Sequence, residues 1–211
     1  KASGLDRWLQ ITVKSGIKKL DLSIPLQIKE EYNFPCAVLS DEAAASSIQS
    51  LHLLGCAFIP TSSLGLLRRL TCLHLFSVRV TEEGLRFLLS KSSVLEKLDM
   101  SFCRGITCLR IAFMSQQLKY LSLIHCTGLQ SVQIDAPKLC SFRSDEIGIL
   151  TEICLRNSSQ LKNVDLSSIF FSDARARLPS IIPNVETLTR HSRQVYVSNF
   201  NILMTKPYRY I

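Results

Sequence analysis

The sequence predicts a single α/β solenoid of about eight turns, with a parallel β-sheet along its concave side and a mixture of helix and strand on its convex side. Three observations carry that expectation. An apolar-x-x-apolar-x-apolar unit recurs at a nearly constant step, a second copy of it falls halfway between in the middle of the chain, and one amphipathic helical segment follows the third turn. At 211 residues the chain amounts to about 1.4 average domains, enough for one repeat array. Hydrophobic residues make up 46% and charged residues 20%, with only 8 Gly and 7 Pro, so a continuous core can form and the profile is not that of a disordered chain.

Leu5, Trp8, Leu9, Val13 and Ile17 come at close to helical spacing, which predicts a cap helix over residues 5–16. Trp8 is expected to pack against the exposed end of the solenoid. The repeated unit then appears as Ile17-x-x-Leu20-x-Leu22, Ile48-x-x-Leu51-x-Leu53, Leu70-x-x-Leu73-x-Leu75 and Leu95-x-x-Leu98-x-Met100. It continues as Leu118-x-x-Leu121-x-Leu123, Leu139-x-x-Phe142, Leu161-x-x-Val164-x-Leu166 and Val185-x-x-Leu188. From one second apolar position to the next the steps are 31, 22, 25, 23, 21, 22 and 24 residues. Apart from the first, which holds an insertion, these lie in the range of a leucine-rich repeat of roughly 20–29 residues.

The physics of the spacing is direct. The x-Leu-x-Leu-x segment alternates at period two, so its leucines face the core and the intervening residues face away. One turn alone has nothing to cover its apolar face; stacking turns covers it and pairs each strand with the next. Leu51, Leu73, Leu98, Leu121, Phe142 and Val164 are expected to point inward. Cys56, Cys103 and Cys126 close three of the units, and Val78 takes that place in the third turn.

Ile106-x-x-Leu109-x-Ile111, Leu129-x-x-Val132-x-Ile134 and Leu150-x-x-Ile153-x-Leu155 form the second series. They predict an outer strand on turns four to six. Turn three differs: Thr81 reads as a helix N-cap, followed by Glu82 and Glu83 in the first helical turn. Residues 178–184 are Pro-limited and lead to a last strand at Val185–Thr189. The solenoid is expected over 1–190 and an irregular tail over 191–211, with Val195–Val197 its one strand candidate.

Composition narrows the chemistry. The net charge of +8 is patchy: residues 68–119 carry nine basic against four acidic side chains, and 168–211 six against two. Basic residues are not interleaved with aromatics, so specific nucleic-acid reading is not indicated. The stretch Ala43–Leu67 has no charge but is broken by serines, His52 and Pro60, which excludes a membrane span there. Eight single cysteines without a CxxC pair read as mostly buried, reduced and intracellular, in nucleus or cytoplasm, although the Asn157-Ser158-Ser159 sequon points weakly the other way. All eight glycines are isolated, so there is no phosphate loop and no nucleophile elbow. No enzyme activity and no cofactor is expected.

If the concave sheet binds, its central residues are Asp21, His52, His74, Asp99, Ser122, Arg143, Asp165 and Thr189, about 4.8 Å apart per step. Phe76 and Tyr120 flank them as aromatic anchors. This mixed ladder suits a protein partner recognised around a hot spot, the competing reading being a merely solvated sheet face. His52, His74 and Cys72 should be neighbours but lack a fourth ligand, so no metal is expected.

Asp6-Arg7-Trp8-Leu9, Gly16-Ile17-Lys18-Lys19-Leu20-Asp21-Leu22, the strand Ile48 to Cys56, Leu95-Glu96-Lys97-Leu98-Asp99-Met100 and Ile134-Asp135-Ala136-Pro137-Lys138-Leu139 together resemble the repeat region of plant F-box/LRR proteins, including the F-box/FBD/LRR group. Residues 178–190 resemble the start of the FBD segment. The resemblance implies the substrate-recognition region of an SCF-type E3 ubiquitin ligase, in which the F-box docks on a Skp-type adaptor and the repeats hold the target; a monomer is expected. With no F-box ahead of Lys1, adaptor binding is expected only if one precedes it, and the tail from Arg190 departs from the FBD pattern. The alternative is a free-standing intracellular interaction protein outside ubiquitination.

Overall fold

A computed structural model of the chain describes residues 2–14, 16–27, 30–61, 64–111, 116–145, 147, 151–167, 186–191 and 201–205. The chain opens with helix α1 (Ala2–Lys14). Leu9 and Val13 on one side of it are fully buried and Leu5 packs beside them, because apolar residues four apart share a helix face. The helix begins three residues before the expected span and ends two sooner. Trp8 corrects the expectation: it is 54% exposed, since it lies on the opposite side of α1 from Val13. Asp6 secures the helix, accepting a 2.6 Å hydrogen bond from the Tyr32 hydroxyl, whose pKa is pushed up by burial and by that carboxylate.

The first turn is β1 (Lys19–Ser23), and its long step accommodates β2 (Tyr32–Asn33), a 3-10 turn (Cys36–Leu39) and helix α2 (Glu42–Ser47). Asp41 caps α2 by accepting from the Ala44 amide. Then follow β3 (Ser50–Leu54), β4 (Cys56–Phe58), β5 (Cys72–Phe76), β6 (Arg79–Val80), α3 (Glu82–Lys91), β7 (Lys97–Ser101), β8 (Cys108–Ile111) and β9 (Tyr120–Ile124). The array continues with β10 (Ser131–Asp135), β11 (Ser141–Asp145), β12 (Glu152–Arg156), β13 (Asn163–Ser167), β14 (Thr187–His191) and β15 (Asn201–Thr205).

One nine-stranded sheet runs β1-β3-β5-β7-β9-β11-β13-β14-β15, parallel throughout except for its last pair. Its register places Leu20, Leu51, Leu73, Leu98, Leu121, Phe142, Val164 and Leu188 side by side. The six inward side chains expected from the spacing are all at most 2% exposed. Burying each stabilises the fold by about 1.5–3 kcal/mol relative to exposure. Ser144 stands in the second leucine row and is buried there, the one polar residue of that row whose burial is described.

The second series folds as predicted, into the outer sheet β12-β10-β8 with Leu109, Ile111, Val132 and Ile134 buried. A third sheet, β2-β4-β6, is too short for any periodicity to announce it. Glu31 fastens it, accepting from Arg79 at 2.6 Å and from Arg104 at 2.7 Å; burial opposes ionisation of Glu31, but the two arginines outweigh it and lower its pKa. Residues 191–211, expected to be irregular, contain β15, which pairs antiparallel with β14. The strand candidate 195–197 and most of the FBD-like segment, 178–185, lie outside the described residues.

Candidate functional site

Period-two alternation leaves three rows of side chains on the concave face. The central row is Asp21, His52, His74, Asp99, Ser122, Arg143, Asp165 and Thr189, each opposite the next in the strand register. The row nearer the strand starts holds Lys19, Ser50, Cys72, Lys97 and Tyr120; the row nearer the strand ends holds Leu54, Phe76, Ser101, Ile124 and Asp145. The structure thus brings all ten sequence-selected residues onto one sheet face.

Their environments differ. His52 sits 3.7 Å from Asp21 through Nδ1 and 2.9 Å from the Ser50 hydroxyl through Nε2, with the His74 ring 5.4 Å away and tilted. Burial first, and then the charge on Lys19, lower the His52 pKa below its usual 6.5, against the opposite pull of Asp21. Lys97 lies over the Tyr120 ring at 5.0 Å, and Arg143 pairs with Asp165 at 3.3 Å. Asp21 also meets Lys19 at 3.4 Å.

Ser122 corrects the expectation of an outward, exposed residue. It is 1% exposed, because so small a side chain sinks between Asp99 and Arg143 across the sheet and Tyr120 and Ile124 along its own strand. Its hydroxyl has no hydrogen-bond partner among the described residues. Asp145 Oδ1 is likewise buried without one.

The strand ends carry a feature that spacing alone did not show. Gly55, Ser77, Phe102 and His125 each follow a concave strand and each has positive φ, at 71°, 51°, 55° and 51°. Their amides donate to the carbonyls of Phe76, Ser101, Ile124 and Asp145 in the following turn. The left-handed residue lets each strand end fold sharply toward Cys56, Val78, Cys103 and Cys126, which are buried beneath. Cys103 and Cys126 donate to backbone carbonyls there. Burial raises the Cys36 and Cys56 thiols to about 11 and about 12, which makes them inert packing groups.

Two of these turn residues join Phe76 in an aromatic row. Phe102 lies 5.2 Å from Phe76, and His125 is stacked on Phe102 at 4.5 Å with 19° between the planes. Phe102 is 48% exposed. Sequence reasoning selected Phe76 and passed over Phe102 and His125; the available signal was their position one residue before the recurrent Cys.

On the convex side, Glu82, Arg86, Cys108 and Arg110 line a groove between α3 and β8. Among the described residues no cluster of three or more His, Cys, Asp or Glu has the arrangement to hold a metal ion, and no helix is long and apolar enough to cross a membrane.

A family model described as At1g61320/AtMIF1, LRR domain, matches residues 1–207. No curated protein and no solved structure matches the chain. A match over nearly all of the 211 residues, on a chain whose turns stack as repeats, places this protein in the plant leucine-rich repeat family of the At1g61320/AtMIF1 LRR-domain type.

Proposed function

We propose that this chain recognises a target protein on its concave face, as the substrate-recognition repeat region of an SCF-type E3 ubiquitin ligase F-box protein. The family generally serves as a non-catalytic protein-interaction module, which supports the first half of that reading. The carrying observation is the half-exposed ladder His52, His74, Asp99 and Tyr120 above a layer of leucines that is fully closed. Half-exposed aromatic and ionisable side chains in adjacent places are the kind from which the hot spots of protein recognition are built. The ligase assignment rests on the resemblance of the repeat motifs to F-box/LRR proteins. It carries with it a nuclear or cytoplasmic location and a monomeric receptor.

One experiment with two arms tests both halves. Replacing His74, Asp99 and Tyr120 together by alanine should remove partner capture from a cell extract and leave the thermal melt within about 1 kcal/mol of wild type. Retention of partners by that variant, with loss in an Arg86/Lys91 double variant, moves binding to the convex face. In the second arm the full open reading frame is co-expressed with a Skp-type adaptor. Co-purification supports the ligase reading, and its absence leaves a free-standing interaction protein.

A further inference from the structure

Phe102 is a bulky side chain in a left-handed backbone position, where only Gly, Asn and Asp are at ease. The same place in the neighbouring turns is filled by Gly55 and Ser77, so the turn itself does not require an aromatic residue. Core packing does not require it either, since nearly half of its surface is exposed. Strain retained at an exposed aromatic group points to what the ring does for a ligand.

The ring has acceptors beside it. Asp99 on β7 stands opposite Ser122 on β9, and Asp145 on β11 stands opposite Ile124, two places further along the face, where its carbonyl accepts from the His125 amide; Phe76, Phe102 and His125 run beside them at the strand ends. Neither Asp99 nor Asp145 has a lysine or arginine within ion-pair distance among the described residues; the Ser101 hydroxyl donates to Asp99 at 3.5 Å, and His74 and Ser122 stand opposite it on the neighbouring strands. The buried Ser122 hydroxyl and Asp145 Oδ1 add two polar atoms without partners on this same face. The nearest cations are already engaged: Arg143 with Asp165 and Lys97 with the Tyr120 ring.

A partly exposed aromatic row beside a set of hydrogen-bond acceptors suits one side chain best. A guanidinium is planar, stacks on aromatic rings, carries five donors and no acceptor, and meets carboxylates in pairs. We propose that the aromatic row Phe76, Phe102 and His125, together with Asp99, Ser122 and Asp145, is the hot spot that receives an arginine side chain of the target protein. This deepens the concave-face reading and rests on it.

The test is an NMR titration of the 211-residue chain with blocked hexapeptides that differ at one position: arginine, citrulline or lysine between two leucines. Citrulline keeps the shape of arginine and removes its charge. The arginine peptide should shift the amides of Asp99, Phe102, Ser122 and Asp145, while citrulline weakens binding about five-fold or more and lysine falls between. Phe102→Asn should abolish those shifts while its melting temperature equals or exceeds that of wild type, because Asn tolerates positive φ. Asp145→Asn should weaken the arginine peptide without altering the response to citrulline. Equal response to arginine and citrulline, a marked fall in stability of Phe102→Asn, or no shift up to about 10 mM peptide overturns the proposal. If the arginine peptide fails while the His74/Asp99/Tyr120 variant still loses its partners, the hot-spot chemistry falls and the concave-face reading stands.

Discussion

Gly55 and Phe102 show how one backbone demand is met in two ways. Both close a concave strand with positive φ, but a Cβ built on Gly55 would come 2.3 Å from the Ile24 carbonyl oxygen. No side chain fits there without moving backbone. Gly55→Ala should therefore cost at least about 2 kcal/mol, from the left-handed penalty and the clash together, and lower the melting temperature accordingly. A melt unchanged from wild type would mean that the first turns relax freely around that position. The inward leucines were legible at this scale because period-two alternation needs only local sequence. Phe102, His125 and the burial of Ser122 were not, because φ and crowding are set by the next turn.

Helix α3 is held by its first turn. Thr81 accepts from the Gly84 amide, and Glu82 Oε1 accepts from the Thr107 and Cys108 amides and the Thr107 hydroxyl, tying the helix to β8. Those hydrogen bonds, the Thr107 hydroxyl foremost, lower the Glu82 pKa below its usual 4.5. The ionised form is thus favoured in the folded chain: its contribution is fully present above 4.5 and is lost as pH falls through the lower folded-state value. Glu82→Gln should lower the melting temperature at pH 7 and flatten the decline between about pH 5 and 3. Identical acid limbs for the two proteins would show that the bonds do not form in solution. The cap and the acidic first turn were readable from Thr81-Glu82-Glu83; the carboxylate's bond to β8 was not, because its partners lie a full turn away in sequence.

Across the whole molecule the turns share a single core, which runs from Leu9 in the cap helix to Leu166 in β13. Leu98 is fully buried between Leu73 and Leu121 in the strands on either side. Leu98→Ala should remove contacts from both and cost about 2–5 kcal/mol, read as a lower denaturant midpoint. An unchanged midpoint would show that the array does not propagate stability through its middle. The sequence by itself determined the stacking, the inward rows, the three outer strands and the helix on the third turn, because each follows from a local period repeated at a fixed step. Only the tertiary structure decided that β15 turns back antiparallel, that Trp8 faces solvent, and that Phe76, Phe102 and His125 meet in one row. Those outcomes depend on which residues become neighbours once separate turns are stacked, and no local period encodes a contact between turns.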